Sequence, residues 1–151
     1  MAASPAAARV RPATAADFTA VAALLGELGR PALTPDTTDS ARRVYERQLA
    51  RPETAAHVAE IDGVVVGFMS CELRERLNRT QLQAWIPDLI VTAPHRGRGI
   101  GKALLSRAIA TAQAQGCWSM TLESGRSRHA AHQLYRSLGL VAEGEYFIRY
   151  L

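Results

Sequence analysis

The sequence predicts an α/β (α+β) fold in which a mixed, mostly antiparallel sheet of six or seven strands carries helices on both faces. Apolar residues recur at every second position between 57 and 91, which is typical of strands. On either side they recur at every third or fourth position, which is typical of helices. The chain has 151 residues, 48% of them hydrophobic, which suffices for one domain with a full core. We expect this domain over residues 9–151, after a flexible tail of residues 1–8.

The first part of the domain is a short extended segment, residues 9–12, followed by two helices. Thr14-Ala-Ala-Asp17 resembles a capping box and predicts the start of the first helix. A second, more polar helix is expected from residue 36 or 37 to Ala50, because Arg51-Pro52 ends it. The apolar stripe that defines the first helix consists of Phe18, Val21, Ala22, Leu25 and Leu28.

Strands and helices alternate in the remainder. Asp62-Gly63 predicts a tight hairpin turn between strands at 58–61 and 64–73. Gly116 predicts the C-terminal cap of an amphipathic helix that begins after a third long strand. The expected elements after the hairpin are a strand over 81–91, a helix over 99–115, a strand over 117–123, a helix over 128–138, and final strands over 140–142 and 146–151.

The composition narrows the classes of ligand and partner. The net charge of +4 suits a phosphorylated cofactor, and the basic residues form neither a run nor a stripe among aromatics, so we expect no nucleic-acid binding. No stretch reaches the roughly 18 apolar residues that a membrane span needs. Cys71 and Cys117 lack metal-ligand spacing, and the first residues lack the pattern of a signal peptide. We therefore expect no metal site, no membrane contact and a cytoplasmic protein with reduced thiols.

The segment from Asp88 to Lys102 contains the strongest functional signal. A buried strand leads into a glycine-rich turn, and a helix starts directly after it. Glycines let the backbone approach a ligand, and the helix N-terminus adds about half a positive charge, so the turn predicts a site for a pyrophosphate or similar polyanion. Its glycine spacing excludes the dinucleotide fingerprint, since Gly101 comes one residue early, and Arg96 and Ala103 exclude the phosphate loop of ATPases.

Two motifs together resemble the GNAT superfamily of N-acetyltransferases. Arg96-x-x-Gly99-x-Gly101 after an Asp-Leu-Ile-Val strand resembles the family's acyl-CoA loop. Downstream, Ala131-His-Gln-Leu-Tyr-Arg-Ser-Leu-Gly139-Leu resembles its later helical motif. The motifs stand in the family's order, and the resemblance covers residues 8 to 151. It implies a sheet splayed at a bulge in the central strand and an enzyme that uses acetyl-CoA as co-substrate.

The resemblance also implies roles for individual residues. Tyr135 would protonate the departing CoA thiolate as general acid. Ser124 would replace the asparagine that many relatives use to contact the pantetheine, since Arg128 stands at that position. The implied cofactor-binding residues are Leu89, Ile90 and Val91 along the pantetheine arm, and Arg96, Gly97, Arg98, Gly99, Ile100, Gly101 and Lys102 around the pyrophosphate.

The general base stays open. Many relatives carry a glutamate where this chain has Pro87, and the remaining candidates are Asp88, Glu72, Glu123 and a chain of water molecules. The expected reaction is direct attack, in a ternary complex, by a primary amine of a small molecule or peptide. The alternative is a catalytically weak CoA-binding sensor or regulatory module.

The sequence says less about the amine acceptor and about the oligomeric state. The sequence leaves open the identity of the amine and the length of the acyl group. Residues 146–151 form a predicted edge strand that could pair across a two-fold axis, so a homodimer is the expected assembly.

Overall fold

The computed structural model describes residues 7–151 and shows one five-stranded sheet with helices on both faces. Two single turns of 3₁₀-helix, Ala15–Asp17 and Ala93–His95, connect larger elements. Residues 1–6 of the predicted tail lie outside the described range. The elements are β1 (Arg9–Pro12), α1 (Phe18–Glu27), α2 (Pro35–Ala50), β2 (Thr54–Ile61), β3 (Val64–Arg74), β4 (Gln83–Val91), α3 (Ile100–Ala114), β5 (Ser119–Leu122) and α4 (His129–Ser137).

The sheet is mixed and mostly antiparallel, as the sequence predicts. Its strand order is β1-β2-β3-β4-β5; the first three pairings are antiparallel, and β4 pairs with β5 in parallel. The predicted hairpin turn is confirmed, since Asp62 and Gly63 both have positive φ, of 49° and 79°.

Separate apolar clusters cover the two faces of the sheet. On one face, α1 and α2 pack Phe18, Val21 and Tyr45 against residues such as Phe68 of β3. On the other, α3 packs Leu104, Leu105 and Ala108 against residues such as Met69, and Tyr135 of α4 joins this cluster. The helices therefore cover the strands where they cross them. The strand ends that stay uncovered are available to form a site.

A half-buried ion-pair network fixes the start of the domain. Asp17 accepts hydrogen bonds from both terminal nitrogens of Arg11, each at 2.8 Å, and from the Thr14 N–H at 2.8 Å. The Arg11 hydrogen bonds are the main reason why the pKa of Asp17 lies below its usual value. Arg11 also donates to Glu60 of β2 at 2.7 Å, and the Tyr45 hydroxyl donates to the Thr14 carbonyl at 2.7 Å. These contacts tie β1, the first turn and α2 together.

A bulge in β4 splays the sheet near its centre. Ser70 pairs with Asp88 and Glu72 with Trp85, so two residues of β4 stand opposite the single residue Cys71 of β3. The extra residue reverses the alternation along β4. β5 pairs only as far as Leu122, opposite Ile86, and from residue 87 onward that side of β4 has no neighbouring strand. The splay implied by the family resemblance is therefore present.

The predicted strands at 140–142 and 146–151 do not form, and the count of six or seven strands is wrong for the described residues. The side chains of Val141, Phe147 and Tyr150 are exposed by 72%, 84% and 86%. Alternating apolar residues favour a strand, but a strand also needs a partner for its backbone groups, and no strand among residues 7–151 pairs with residues 140–151. The far edge of β5, where such a strand could have been added, is also unpaired among the described residues.

Two further properties concern only the described residues. No helix there is both long enough and apolar enough to cross a membrane. Across residues 7–151, no group of three His, Cys, Asp or Glu side chains is arranged to hold a metal ion.

Candidate functional site

A cleft of about 620 Å³ opens where the splayed end of β4 meets α3 and α4. The last residues of β4, the glycine-rich turn and the first turn of α3 form one wall. Residues between Ser127 and Tyr135, in α4 and the turn before it, form the opposite wall. Glu27 and Leu28, at the end of α1, close one side. The two sequence motifs, far apart in the chain, therefore meet at one cleft.

Unpaired backbone donors line the mouth of this cleft. Gly97 and Gly99 have φ of 74° and 78°, and Gly99 is the N-terminal cap of α3. The first backbone bond of α3 runs from the Ala103 N–H to the Gly99 carbonyl. Within the described chain, no backbone N–H from Gly99 to Lys102 has a protein acceptor. This row of donors, together with the positive end of the helix dipole, suits a polyanion.

The basic side chains of the segment differ in their availability. Arg96 is turned back onto the protein, where its Nε donates to the Val91 carbonyl at 2.8 Å and its Nη2 lies 3.6 Å from Glu27. Arg98 Nη1 lies 3.0 Å from His95 Nδ1, and Lys102 is exposed, with no ion pair in the described part of the chain. Lys102 lines the cleft and is free to meet an anion, whereas Arg98 is exposed but is not one of the residues that line the cleft, and Arg96 shapes the turn.

The splayed end of β4 offers backbone groups on its open side. The Thr92 N–H donates to the Val66 carbonyl at 2.9 Å, so the even-numbered residues at this end of β4 pair with β3. Leu89 and Val91 consequently turn their backbone groups toward the gap left by β5. The Val91 carbonyl already accepts from Arg96 Nε, so the groups left for a ligand are the Leu89 N–H, the Leu89 C=O and the Val91 N–H. Ile90 also borders the cleft, but its backbone pairs with β3 and its side chain packs against α1.

Tyr135 lies in the wall formed by α4 and is 8% exposed. Its ring centroid is 6.3 Å from that of His132. Its hydroxyl has no hydrogen-bond partner among residues 7–151. A hydroxyl without a structural bond at the edge of a cleft is free to donate a proton to a bound molecule.

Comparison with known proteins agrees with this geometry. The model described as "Acetyltransferase (GNAT) family" matches residues 22–140. The chain belongs to the GNAT acetyltransferase family. N-alpha-acetyltransferase MAK3 from Arabidopsis thaliana is 35% identical over 89 residues, which is 59% of this chain and 46% of that protein. The chain spans less than half the length of the curated relatives that it matches first.

Solved structures confirm the fold. A putative acetyltransferase from Agrobacterium tumefaciens str. C58 superposes with a TM-score of 0.83 at 29% identity, covering 94% of this chain and 99% of that one. Glucosamine-6-phosphate N-acetyltransferase from Arabidopsis thaliana has a TM-score of 0.81 at 19% identity, covering 95% and 98% of the two chains, and shows a common fold. The GNAT prediction made from the two motifs is thus confirmed at the level of family and fold.

Ser124, the remaining cofactor residue implied by the GNAT resemblance, lies beside the cleft instead of in its wall. Its Oγ is 3.1 Å from His132 Nε2. Arg128, which stands where many GNAT relatives have asparagine, does line the cleft at the N-terminal cap of α4. The structure therefore brings Arg128 closer to the site than Ser124.

The three carboxylates considered as general base share the face of the sheet opposite Tyr135. Both oxygens of Asp88 are engaged, since Oδ1 accepts from Arg30 at 2.9 Å and Oδ2 accepts from Ser70 at 3.0 Å. Glu123 accepts one bond, from the Trp85 indole N–H at 2.7 Å. Glu72 pairs in register with Trp85, on the same face of the sheet. Asp88 is thus the least available of the three.

The two cysteines are unsuited to a covalent intermediate. Cys71 is fully buried in the core, and burial raises the pKa of its thiol to about 11. Burial also raises the pKa of Cys117. Neither thiol lines the cleft, and neither ionises readily near neutral pH.

The residues that sequence reasoning missed lie at the end of α1. Glu27 accepts from the Thr92 hydroxyl at 2.6 Å and from the Ala93 N–H at 3.2 Å, and Arg30 donates to Asp88 and Pro87. One signal could have indicated Glu27: a glutamate in the last turn of a helix faces the negative end of the dipole, which is unfavourable without another partner.

Proposed function

We propose that the chain transfers an acetyl group from acetyl-CoA to a primary amine of a small molecule or peptide, by direct attack in a ternary complex. One observation carries the proposal. The unpaired backbone N–H groups from Gly99 to Lys102 open onto the cleft that also holds Tyr135 and the unpaired side of β4. A polyanion site, an extended backbone edge and a proton donor thus lie along one cleft, in a domain that we take to span residues 9–151.

The cleft has the donors that acetyl-CoA needs. The N–H groups at the start of α3, with Arg98 and Lys102, would hold the pyrophosphate. Leu89 and the N–H of Val91 would pair with the pantetheine arm as a neighbouring strand would, because these backbone groups face the gap. The Ser124 hydroxyl, which contacts His132 Nε2, keeps an acceptor lone pair with which it would contact this arm.

Each of the chain's groups then has one task in the reaction. Acetyl-CoA supplies a thioester, whose carbonyl carbon the amine attacks as the carbon–sulfur bond breaks. A backbone N–H of β4 stabilises the negative charge on the carbonyl oxygen, a contact worth about 3–4 kcal/mol in comparable sites. Tyr135 donates its proton to the departing sulfur. Because the pKa of each thiol is raised and neither thiol lines the cleft, the cysteines favour this direct route over an acyl-enzyme.

The amine must lose a proton before it attacks, because an alkyl ammonium of pKa about 10 has no free lone pair at neutral pH. Both oxygens of Asp88 already accept hydrogen bonds, which favours Glu72, Glu123 or a chain of water molecules as the proton acceptor. The three carboxylates on the face of the sheet opposite Tyr135 would also attract a cationic amine. We propose that the reaction takes place in the cytoplasm, where thiols stay reduced.

Thermal unfolding with acetyl-CoA, NAD and ATP tests the proposal. A ligand at about 100 times its Kd adds about 2.7 kcal/mol to the free energy of unfolding, a shift of several degrees in Tm. We expect this shift with acetyl-CoA alone. Equal shifts with NAD or ATP, or none with acetyl-CoA, would contradict the assignment of the cleft.

A panel of primary amines, with detection of the released CoA thiol, then separates an enzyme from a sensor. We expect turnover in the wild type and a loss of about 100-fold or more in kcat for Tyr135→Phe. Because the Tyr135 hydroxyl has no structural hydrogen bond among the described residues, the Tm of this variant should stay within about 2 °C of wild type. A shift with acetyl-CoA but no turnover on any amine would favour the CoA-binding sensor.

The exposed C-terminal segment supports a homodimer. Tyr146, Phe147, Ile148 and Tyr150 expose large apolar side chains in residues without a strand partner. We propose that this segment pairs with its counterpart in a second copy. Sedimentation velocity should show a dimer for the wild type and a monomer for Phe147→Asp; a monomeric wild type would refute the proposed assembly.

A further inference from the structure

Two oppositely charged residues at the end of α1 hold β4 on both sides of the segment where acyl transfer is proposed. Glu27, the last residue of α1, accepts hydrogen bonds from Thr92 Oγ1 at 2.6 Å and from the Ala93 N–H at 3.2 Å. Arg96 Nη2 lies 3.6 Å from the same carboxylate. The Thr92 bond is the main cause that lowers the pKa of Glu27 below its ordinary value, because it stabilises the ionised carboxylate.

Arg30 makes the second attachment, from the loop that follows α1. One guanidinium nitrogen, Nη2, donates both to the Pro87 carbonyl at 3.1 Å and to Asp88 Oδ1 at 2.9 Å. The other oxygen of Asp88 accepts from Ser70 of β3 at 3.0 Å. Arg30 therefore holds the bulge itself, at the point where β4 parts from β5.

The two attachments flank Leu89–Val91, since their hydrogen bonds go to residues 87 and 88 on one side and to residues 92 and 93 on the other. Arg30 holds residues 87 and 88, and Glu27 holds residues 92 and 93, so the backbone between them has little freedom to shift along its own axis. Its open side lacks the neighbouring strand that would otherwise keep it in register. The segment that must align the thioester is thus the part of β4 that needs another support.

These contacts do little for the stability of the fold. The side chains of Glu27 and Arg30 are 38% and 54% exposed, and ion pairs at such exposure contribute little to the free energy of unfolding. A glutamate at the C-terminal end of a helix also opposes the helix dipole. The attachments made by Glu27 and Arg30 add little stability, but they hold both ends of the segment Leu89–Val91. A role in positioning that segment explains them better than a role in stability.

We infer that Glu27 and Arg30 are a pair of positioning residues that set the register of Leu89–Val91 in the cleft. The inference rests on the proposed function for its catalytic consequence. Because Glu27 adjoins the loop at 28–34 and Arg30 lies in it, a movement of that loop would be transmitted to β4. A displacement of about 1 Å at a reacting group can cost about 100-fold in rate, so even a small loss of register would be measurable.

The test compares Glu27→Ala and Arg30→Ala with Glu53→Ala. Glu53 provides the matched control, because it forms an exposed ion pair with Arg51 at 3.8 Å, away from the cleft. Hydrogen exchange of the ligand-free protein is the first measurement. We expect faster exchange across residues 87–93 in both cleft variants and no change there in Glu53→Ala.

Kinetics with acetyl-CoA and the amine panel are the second measurement. We expect Arg30→Ala to lower kcat by about tenfold or more with little change in the Kd for acetyl-CoA, since Arg30 holds the bulge. We expect Glu27→Ala to raise that Kd as well, since Glu27 holds the start of the glycine-rich turn. Glu27→Gln, which keeps an acceptor for Thr92, should recover part of the loss.

The two readouts separate the possible failures. Unchanged exchange at 87–93 in both variants would overturn the inference, whatever the wild type does with acetyl-CoA. Faster exchange in a protein that fails to bind acetyl-CoA would support the positioning role and refute the proposed function. Faster exchange with unchanged kcat and Kd in an active enzyme would also overturn the inference.

Discussion

The conformation of Gly99 provides the sharpest test of how the site holds an anion. Gly99 has φ of 78° at the N-terminal cap of α3, and Gly116 has φ of 67° just after the other end of the same helix. A Cβ added at either position would meet nothing within 4 Å. Gly99→Ala and Gly116→Ala therefore impose the same kind of backbone strain without a steric clash, one inside the cleft and one remote from it.

The size of the effect follows from that strain. A left-handed backbone costs an L-residue about 1–2 kcal/mol relative to glycine. In a domain of 151 residues this corresponds to about 2–8 °C in Tm if the folded protein keeps the strained conformation. The turn at residue 99 could instead relax out of the left-handed conformation in the free protein. Binding of the ligand would then have to restore that conformation, at a cost equal to the same strain energy. The Kd for acetyl-CoA would then rise by about 5- to 30-fold.

Thermal unfolding of the two variants measures the loss of stability, and isothermal titration calorimetry measures the change in the Kd for acetyl-CoA. We expect Gly116→Ala to lose stability and to bind acetyl-CoA with a Kd within about twofold of wild type, because no donor of the site lies near it. We expect Gly99→Ala to bind several-fold more weakly. Arg98→Ala should be affected less than Gly99→Ala, because it removes one exposed charge but leaves the backbone donors in place.

A specific result would refute this reasoning. If Gly99→Ala loses as much stability as Gly116→Ala and still binds acetyl-CoA like the wild type, the backbone at residue 99 does not set the anion site. If Arg98→Ala weakens binding more than Gly99→Ala, side-chain charge dominates over the backbone donors. Repeating the titration at high salt distinguishes the two, because exposed charges are screened and backbone donors much less so.

Three further predictions concern stability and pH. Asp17→Ala should lower the free energy of unfolding in urea by about 2 kcal/mol, because it removes charge-assisted hydrogen bonds of the half-buried Arg11, which keeps Glu60 as a partner; a loss below about 1 kcal/mol would contradict this. Burial lowers the pKa of His57 below its usual 6.5, so the unfolded chain takes up a proton first as pH falls. Stability should decline below pH 6.5, by at most about 1.4 kcal/mol per pH unit, and His57→Leu should remove this slope; an unchanged slope in urea titrations would refute the assignment. Gly67→Ala should cost about 1–3 kcal/mol, because its Cβ would lie 3.0 Å from Cδ1 of the fully buried Leu104; unchanged urea unfolding would show that the core adapts.

Local sequence patterns predicted most of the fold because they reflect local physics. The Asp62-Gly63 turn and the stripe on α1 depend on residues close in sequence, and both are present. The strands predicted after Gly139 were wrong for a non-local reason. The alternation of apolar residues over 146–151 favours an extended strand. Whether another strand pairs with it depends on the rest of the molecule.

The site shows the same division. Tyr135 and the glycine-rich segment could be located from the sequence because their motifs are contiguous. Pairing between strands determines that Leu89 and Val91, and not Ile90, face the gap, since a one-residue bulge reverses the alternation along β4. The contact of Ser124 with His132 depends on how α4 docks, and no local pattern contains that information.

Pro87, the residue at which the chain departs from the GNAT pattern, also lies in the bulge that shapes the site. Many relatives have a glutamate at this position, but here a proline stands in the bulge, and its carbonyl accepts from Arg30. Proline has no N–H to donate, so it is tolerated only where a strand is irregular or at an edge, which is the case here. The same guanidinium donates to Asp88 Oδ1 at 2.9 Å. Under the proposed acetyl transfer, the segment around Pro87 would anchor β4 to Arg30, and the proton of the amine would leave through Glu72, Glu123 or a chain of water molecules.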